Sequence, residues 1–140
     1  MMSFVMDEQE RTAFLADVHI GVIAIERAGR GPLAVPIWYG YQPGGDVQVW
    51  MDRRSHKFKA ISAAGRFSLV AQVETFPYKY VSVEGPVVST EPPTREEALA
   101  LAIRYVGEQR GTEYVDGALD DGAVLVRMRP EHWLSNDQGK

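Results

Sequence analysis

The segment from Asp52 to Arg66, DRRSHKFKAISAAGR, gathers Arg53, Arg54, Lys57 and Lys59 around Ser55 and His56, in a chain whose formal net charge is -4. Ser55 has the residue type of a helix N-cap, with HKFKAISAA as a short helix and Gly65 as its stop. Lys57 and Lys59 then fall in the first turn, where the positive end of the helix dipole repels them. Arg53 and Arg54, just before the cap, add to the same field. An anion at the helix start resolves the conflict. It takes hydrogen bonds from free backbone N–H groups and from the Ser55 hydroxyl, and it pairs with Lys57. A phosphate-like group uses all these donors together. The alternative is a solvated basic turn whose charges pair with surface acids, each exposed pair contributing about 0–1 kcal/mol.

Other chemistries find less support. His19, His56 and His132 stand far apart without the carboxylate spacing of a metal site, so no metal is expected. The segment DGALDDG (116–122) lacks the glutamate and loop length of an EF-hand and reads as a polar loop. The absence of cysteine excludes disulfides, thiolate metal sites and cysteine nucleophiles. There is no Gly-x-Ser-x-Gly elbow and no P-loop. Trp38, Trp50, Phe76, Tyr78 and Tyr80 are either core packing or the walls of a pocket for a ring-shaped ligand. Strand alternation turns at least one of Trp38 and Trp50 out of the core, where a ligand or a partner can cover it. Glu84, in a strand before Gly85, reads as a salt-bridge or solvent-facing residue.

The elements that must position these residues are mostly strands. DEQERTAFLAD predicts a short first helix with Phe14 and Leu15 as its apolar contacts. Val18 to Glu26 and Leu33 to Tyr41 predict strands joined by the RAGRGP turn, and Pro36 restricts the second to an edge or a bulge. QPGGD predicts a hairpin turn with Val47 to Met51 as the return strand. Phe67 to Val73 and Tyr80 to Ser89 follow as strands around an aromatic loop, the latter broken at Gly85-Pro86. TREEALALAIRYVGEQRG predicts the longest helix, with a Thr94/Glu97 capping box, an apolar face of Ala98, Leu101, Ala102 and Tyr105, and a stop at Gly111. Ala123 to Pro130 is the last predicted strand, followed by a polar tail carrying Trp133 and Leu134. About six strands linked by tight turns predict a mainly β, antiparallel fold, most simply closed as a small barrel.

A length of 140 residues suits one domain spanning 1–140, and 45% hydrophobic with 24% charged residues is the balance of a globular protein. Net negative charge and a pI near 5.4 argue against a nucleic-acid binder. No apolar run reaches bilayer length, and MMSFVMDEQERTAFLAD has no signal-peptide pattern, so a cytoplasmic protein without a membrane role is expected.

The stretch VWMDRRSHKFKAISAAGRFSLVAQV resembles the central part of the flavin- and deazaflavin-binding split β-barrel family, the pyridoxamine-phosphate-oxidase-like superfamily. HIGVIAI, PLAVPIWYGYQPGGDVQVWM, YVSVEGPV and RPEHWLSNDQGK resemble further parts of it in the same order. The resemblance implies a six-stranded antiparallel split barrel and an oxidoreductase that uses coenzyme F-420 or FMN. It assigns the cofactor phosphate to Ser55 and Lys57, with Arg53, Arg54 and His56 nearby. Pro36, Ile37 and Trp38 would run along the ring or side chain, and Met51 and Asp52 beside the ribityl-type chain. The family is dimeric with the cofactor at the interface, so Lys79, Tyr80 and Trp133 would reach the site from a second copy. The family's pyridoxamine phosphate oxidases carry an Arg-Lys pair where His56-Lys57 stands and an Arg-Gln pair where Lys79-Tyr80 stands. The short chain and the Trp38 pattern resemble the deazaflavin branch instead, with hydride transfer to a flat conjugated acceptor. Its longer acidic tail would meet Arg53, Arg54 and Lys59. No catalytic acid or base is singled out, although Tyr78 is a candidate proton donor. A non-catalytic flavin- or haem-binding barrel is the remaining alternative.

Overall fold

A computed structural model describes residues 3–140. The helices are α1 (Glu8–Ala16), α2 (His56–Ala64), α3 (Arg95–Val106) and α4 (Glu108–Ala118). The strands are β1 (Gly21–Ile25), β2 (Leu33–Ile37), β3 (Val47–Asp52), β4 (Arg66–Val73), β5 (Lys79–Glu91), β6 (Ala123–Met128) and β7 (His132–Asp137). All strand pairs are antiparallel, in the order β2-β1-β4-β5-β6-β3, with β7 added on β5. The six-stranded path is the expected antiparallel split barrel. The seventh strand comes from the tail, where Leu134 pairs with Ser82 and Trp133 with Val83. None of the helices among the described residues is long and apolar enough to cross a membrane.

Alternation builds the interior. Ile23, Ile25, Val47, Val49, Leu69, Val81 and Val83 are all fully or almost fully buried, with the intervening residues more exposed. Each such side chain contributes about 1.5–3 kcal/mol on burial. Leu15 of α1 is fully buried and Phe14 packs beside the core, as the sequence predicts. Asp7 caps α1 in a reciprocal box with Glu10.

Three predicted features change. β5 is not broken at Gly85-Pro86. It runs unbroken, its first part pairing with β4 and β7 and its last part with β6, so it joins the two halves of the barrel. Gly85 permits this because the chain after β6 crosses over it: an added Cβ would stand 1.8 Å from the Arg129 carbonyl oxygen. The predicted long helix ends early at Gly107, whose φ of 85° stops α3, and α4 follows at once. Gly111 is a crossing point instead of a stop, because a Cβ there would lie 2.8 Å from Ile103 Cγ1. Finally, β2 and β3 do not form a hairpin. β2 is an edge strand on β1, consistent with Pro36, while β3 pairs with β6. What remains of the hairpin is a single bridge, Gly40 to Gln48, with both N–H···O distances at 2.8 Å. That bridge links the two ends of the strand order.

Candidate functional site

The segment that joins β3 to α2 folds as its residue types dictate. Ser55 caps α2: its Oγ accepts from the Phe58 N–H at 3.2 Å, and Gly65 ends the helix with φ 73°. The Ser55 hydroxyl proton is not free for a ligand, contrary to expectation. It is donated to the Asp52 carbonyl at 2.6 Å, which fixes the turn. The backbone N–H groups of His56 and Lys57 lie where helix geometry supplies no intrahelical acceptor.

Arg54 is likewise engaged inside the turn. Its Nε and Nη2 fork the Asp52 carboxylate at 2.9 and 2.8 Å, and Asp120 lies 3.7 Å away. The Asp52 carboxylate also accepts the Arg54 N–H at 2.7 Å. These bonds, the side-chain fork foremost, pull the Asp52 carboxyl down to about 2. Gly122 completes the turn, since a Cβ there would lie 2.8 Å from both Arg54 Nη2 and Asp52 Oδ2. Arg53 turns away, donating to the Thr90 carbonyl at 2.9 Å and lying over the Phe58 ring. Arg54, before the cap, has a local counter-charge, whereas Lys57, in the first turn of α2, has no ion-pair partner among the described residues.

Lys57 lines a cavity of about 390 Å³, within the range typical of small-ligand sites. Met51 and Asp52 from the end of β3 line it with Lys57, as do Ile37 and Trp38 from the end of β2. The sequence reading brings these five residues together, and the fold does so too. The rest of the wall comes from Trp50, Ala123 and residues of the α3–α4 pair: Leu101, Tyr114 and Ala118. The sequence reading did not assign Leu101 or Ala123 to a site, and it missed Tyr114 and Ala118 as well. Tyr114 and Ala118 lie one turn apart on α4, a helix hidden by reading through Gly107.

The aromatic wall is a connected set. Trp38 stacks on Tyr105 with ring centroids 5.1 Å apart and planes within 4°, and its other neighbour is Tyr114 at 5.1 Å. Tyr114 meets Trp50 edge-on at 5.5 Å. Both tryptophans therefore lie outside the barrel, covered in part by α3 and α4 and in part facing the cavity. Tyr105 is anchored: its hydroxyl accepts from the Tyr39 N–H at 3.0 Å and donates to the His19 carbonyl at 2.7 Å. The helix pair is held by Arg95–Asp116 at 2.6 Å between α3 and α4, and by Glu97–Arg127 between α3 and β6.

The other predicted residues lie elsewhere. Pro36 is exposed on β2. His56 and Lys59 face a separate hollow of about 530 Å³ with Arg27 and Arg30 from the β1–β2 turn, Glu26 among them. Lys79 and Tyr80 are half-buried at the start of β5, paired with Asp137 and Asn136 of β7. Trp133 is engaged within its own chain, under the Arg11 guanidinium at 4.9 Å and edge-on to Tyr41. Tyr78 sits in the exposed loop against Phe76 and does not line the cavity. Glu84 makes a long surface pair with Arg66 at 3.9 Å, as the strand reading suggests.

Solved structures share this architecture. An F-420 reductase superposes with a TM-score of 0.72 at 22% identity, covering 87% of this chain and 94% of that one. The chain has a split β-barrel fold. A conserved hypothetical protein of Mycobacterium tuberculosis gives a TM-score of 0.80 at 21% identity over 99% of this split barrel and 89% of its own chain. An FAD-binding protein of Mesorhizobium loti gives 0.67 at 20% identity over 96% of both. No family profile matches the sequence, and no curated protein does. The split barrel is thus shared with an F-420 reductase and an FAD-binding protein, at identities that establish the fold.

Proposed function

We propose that the protein is an oxidoreductase that binds coenzyme F-420 in the cavity beside β3 and passes a hydride to a flat conjugated acceptor. The observation that carries this is the half-buried Lys57 at the start of α2, lining the same cavity as Trp38, Trp50 and Tyr114. A cation beside free backbone N–H groups suits a phosphate, and aromatic walls suit a fused ring. Asp52 would repel an anion on its own, but Arg54 offsets its charge.

When bound, the reduced deazaflavin supplies the hydride. The chain's own residues bind and orient. Lys57 and the start of α2 hold the anionic end, while Trp38, Trp50 and Tyr114 fix the ring plane and exclude water from its faces. In this reading the acceptor takes its proton from solvent, because the N–H and O–H groups of the cavity, Lys57 and Tyr114, serve the phosphate and the ring.

The hollow on the other side of the first turn of α2 favours F-420 over FMN. Arg27, Arg30, His56 and Lys59 face it, and an acidic tail leaving the phosphate finds them there. Arg53 and Arg54, already bonded within the chain, are not needed for that role. FMN remains the second reading, because Lys57 and the helix start serve the phosphate of either cofactor.

A homodimer forms part of the proposal. Val22, Val70, Ser82 and Leu134 stand in one register row across β1, β4, β5 and β7, and Leu134 is 62% exposed. Covering this row with a second copy would remove an exposed leucine from water. Equilibrium titration with F-420 and FMN tests the cofactor assignment. Tight F-420 binding with turnover of a quinone or nitro-aromatic acceptor supports it. Tight binding without turnover of any acceptor would make the protein a cofactor carrier.

A further inference from the structure

The outward row of β3 is Gln48, Trp50 and Asp52, set by pleat alternation against the buried Val47, Val49 and Met51. At about 3.3 Å per residue this row is about 13 Å long. The α3–α4 pair lies beside it, and two hollows open along the row. One is the aromatic cavity from Trp50 to Asp52 and Lys57. The other, of about 440 Å³, lies at the beginning of β3, between Asp46 and Gln48 on one side and Glu97 and Arg104 on the other.

Leu101 lines both hollows and is 7% exposed. It seats near the bare backbone of Gly40, where an added Cβ would be 3.7 Å from Leu101 Cδ1. Gly40 is in turn held by its paired hydrogen bonds to Gln48. Leu101 is thus the side chain common to both hollows, seated against the backbone of Gly40.

We propose that Leu101 is the end wall of the aromatic cavity and sets the length of ring system it admits, an inference that rests on the cofactor reading above. With the anionic end at Lys57, the far edge of the ring system points along β3 toward Gln48 and meets Leu101. Bulk added at that edge collides with Leu101. Shortening Leu101 joins the cavity to the hollow of Gln48, Glu97 and Arg104, whose polar lining accepts a substituent.

The test compares ligands differing at the far ring edge. F-420 and its 8-methyl ether, and FMN and its 8-dimethylamino analogue, are titrated into the full chain by tryptophan fluorescence. Wild type prefers each parent by about tenfold, the scale of one misfitting small group in an apolar pocket. Leu101→Ala brings the ratio close to one, while Leu101→Met, which keeps volume, retains the preference. Leu101→Val serves the same purpose if the alanine variant does not give a cooperative melt. An unchanged ratio in the shortened variants, or no preference in wild type, overturns the role of Leu101 alone. Failure of both parents to bind wild type overturns it together with the cofactor reading.

Discussion

The Arg54 guanidinium forks the Asp52 carboxylate, with Nε 2.9 Å from Oδ1 and Nη2 2.8 Å from Oδ2, on the wall of the aromatic cavity. The basic segment thus carries its own counter-anion at one arginine and leaves Lys57 for something else.

Asp52→Asn therefore has two readable effects. The folded carboxyl titrates at about 2, below the ordinary value of about 3.9. A depressed carboxyl stabilises the fold above its unfolded pKa and loses that contribution as pH falls through the folded value. Wild type is expected to melt slightly above the variant at pH 7, with the gap closing between about pH 4 and pH 2. Because both side chains are well exposed, the difference is small. Removing the carboxylate charge should also tighten binding of a phosphate-bearing cofactor by about two- to fivefold. Melts across pH, paired with binding titrations, check both; a gap that does not shrink between about pH 4 and pH 2 contradicts the first.

Gly85→Ala places a methyl 1.8 Å from the Arg129 carbonyl oxygen, where backbone must move. A loss of about 3 kcal/mol or more is expected. Gly117→Ala, in α4 with nothing within 4 Å, should instead gain about 0.5–1 kcal/mol from helix propensity. Denaturant unfolding of the two variants reads this directly, and similar stabilities would contradict the account of β5.

Those glycines show what was legible in the sequence and what was not. Ser55 and Gly65 announced α2 because capping chemistry is local, and both ends fell where expected. Thr94 and Glu97 announced the start of α3 for the same reason. Gly107 and Gly111 carry the same letter, and only the packing of α4 on α3, Gly111 against Ile103, distinguishes a crossing point from a stop. The tail strand was hidden because its value lies in pairing with β5, not in its own composition. Ile37, Trp38, Met51, Asp52 and Lys57 were legible as a group, whereas Tyr114 and Leu101 arrive through helix packing that no local pattern encodes. The engagement of Ser55 and Arg54 with Asp52 was invisible for a related reason: residue types name donors but not which acceptor each one takes.

Leu134→Arg should shift a dimer toward monomer, because it puts charge into the row of Val22, Val70 and Ser82. Sedimentation equilibrium at matched concentrations measures this. A wild-type monomer, or an unaffected dimer, removes that face from the proposal.

Tyr114→Ala opens the aromatic wall beside Trp50 while leaving Lys57 in place. Ring affinity should fall about three- to tenfold, in line with the loss of an aromatic pair contact. Inorganic phosphate binding should be unchanged. An equal loss for both ligands would mean that the variant disturbs the fold and not the wall.

The most direct measurement is titration of the apo-protein with F-420 and with FMN, followed by tryptophan fluorescence, on wild type and Lys57→Ala. The account predicts saturable binding with F-420 preferred, and a loss of about 10- to 100-fold in the variant, the scale of a charge-assisted contact. Binding that is indifferent to Lys57, or no binding of either cofactor, would contradict the central claim and return the basic segment to a solvated turn.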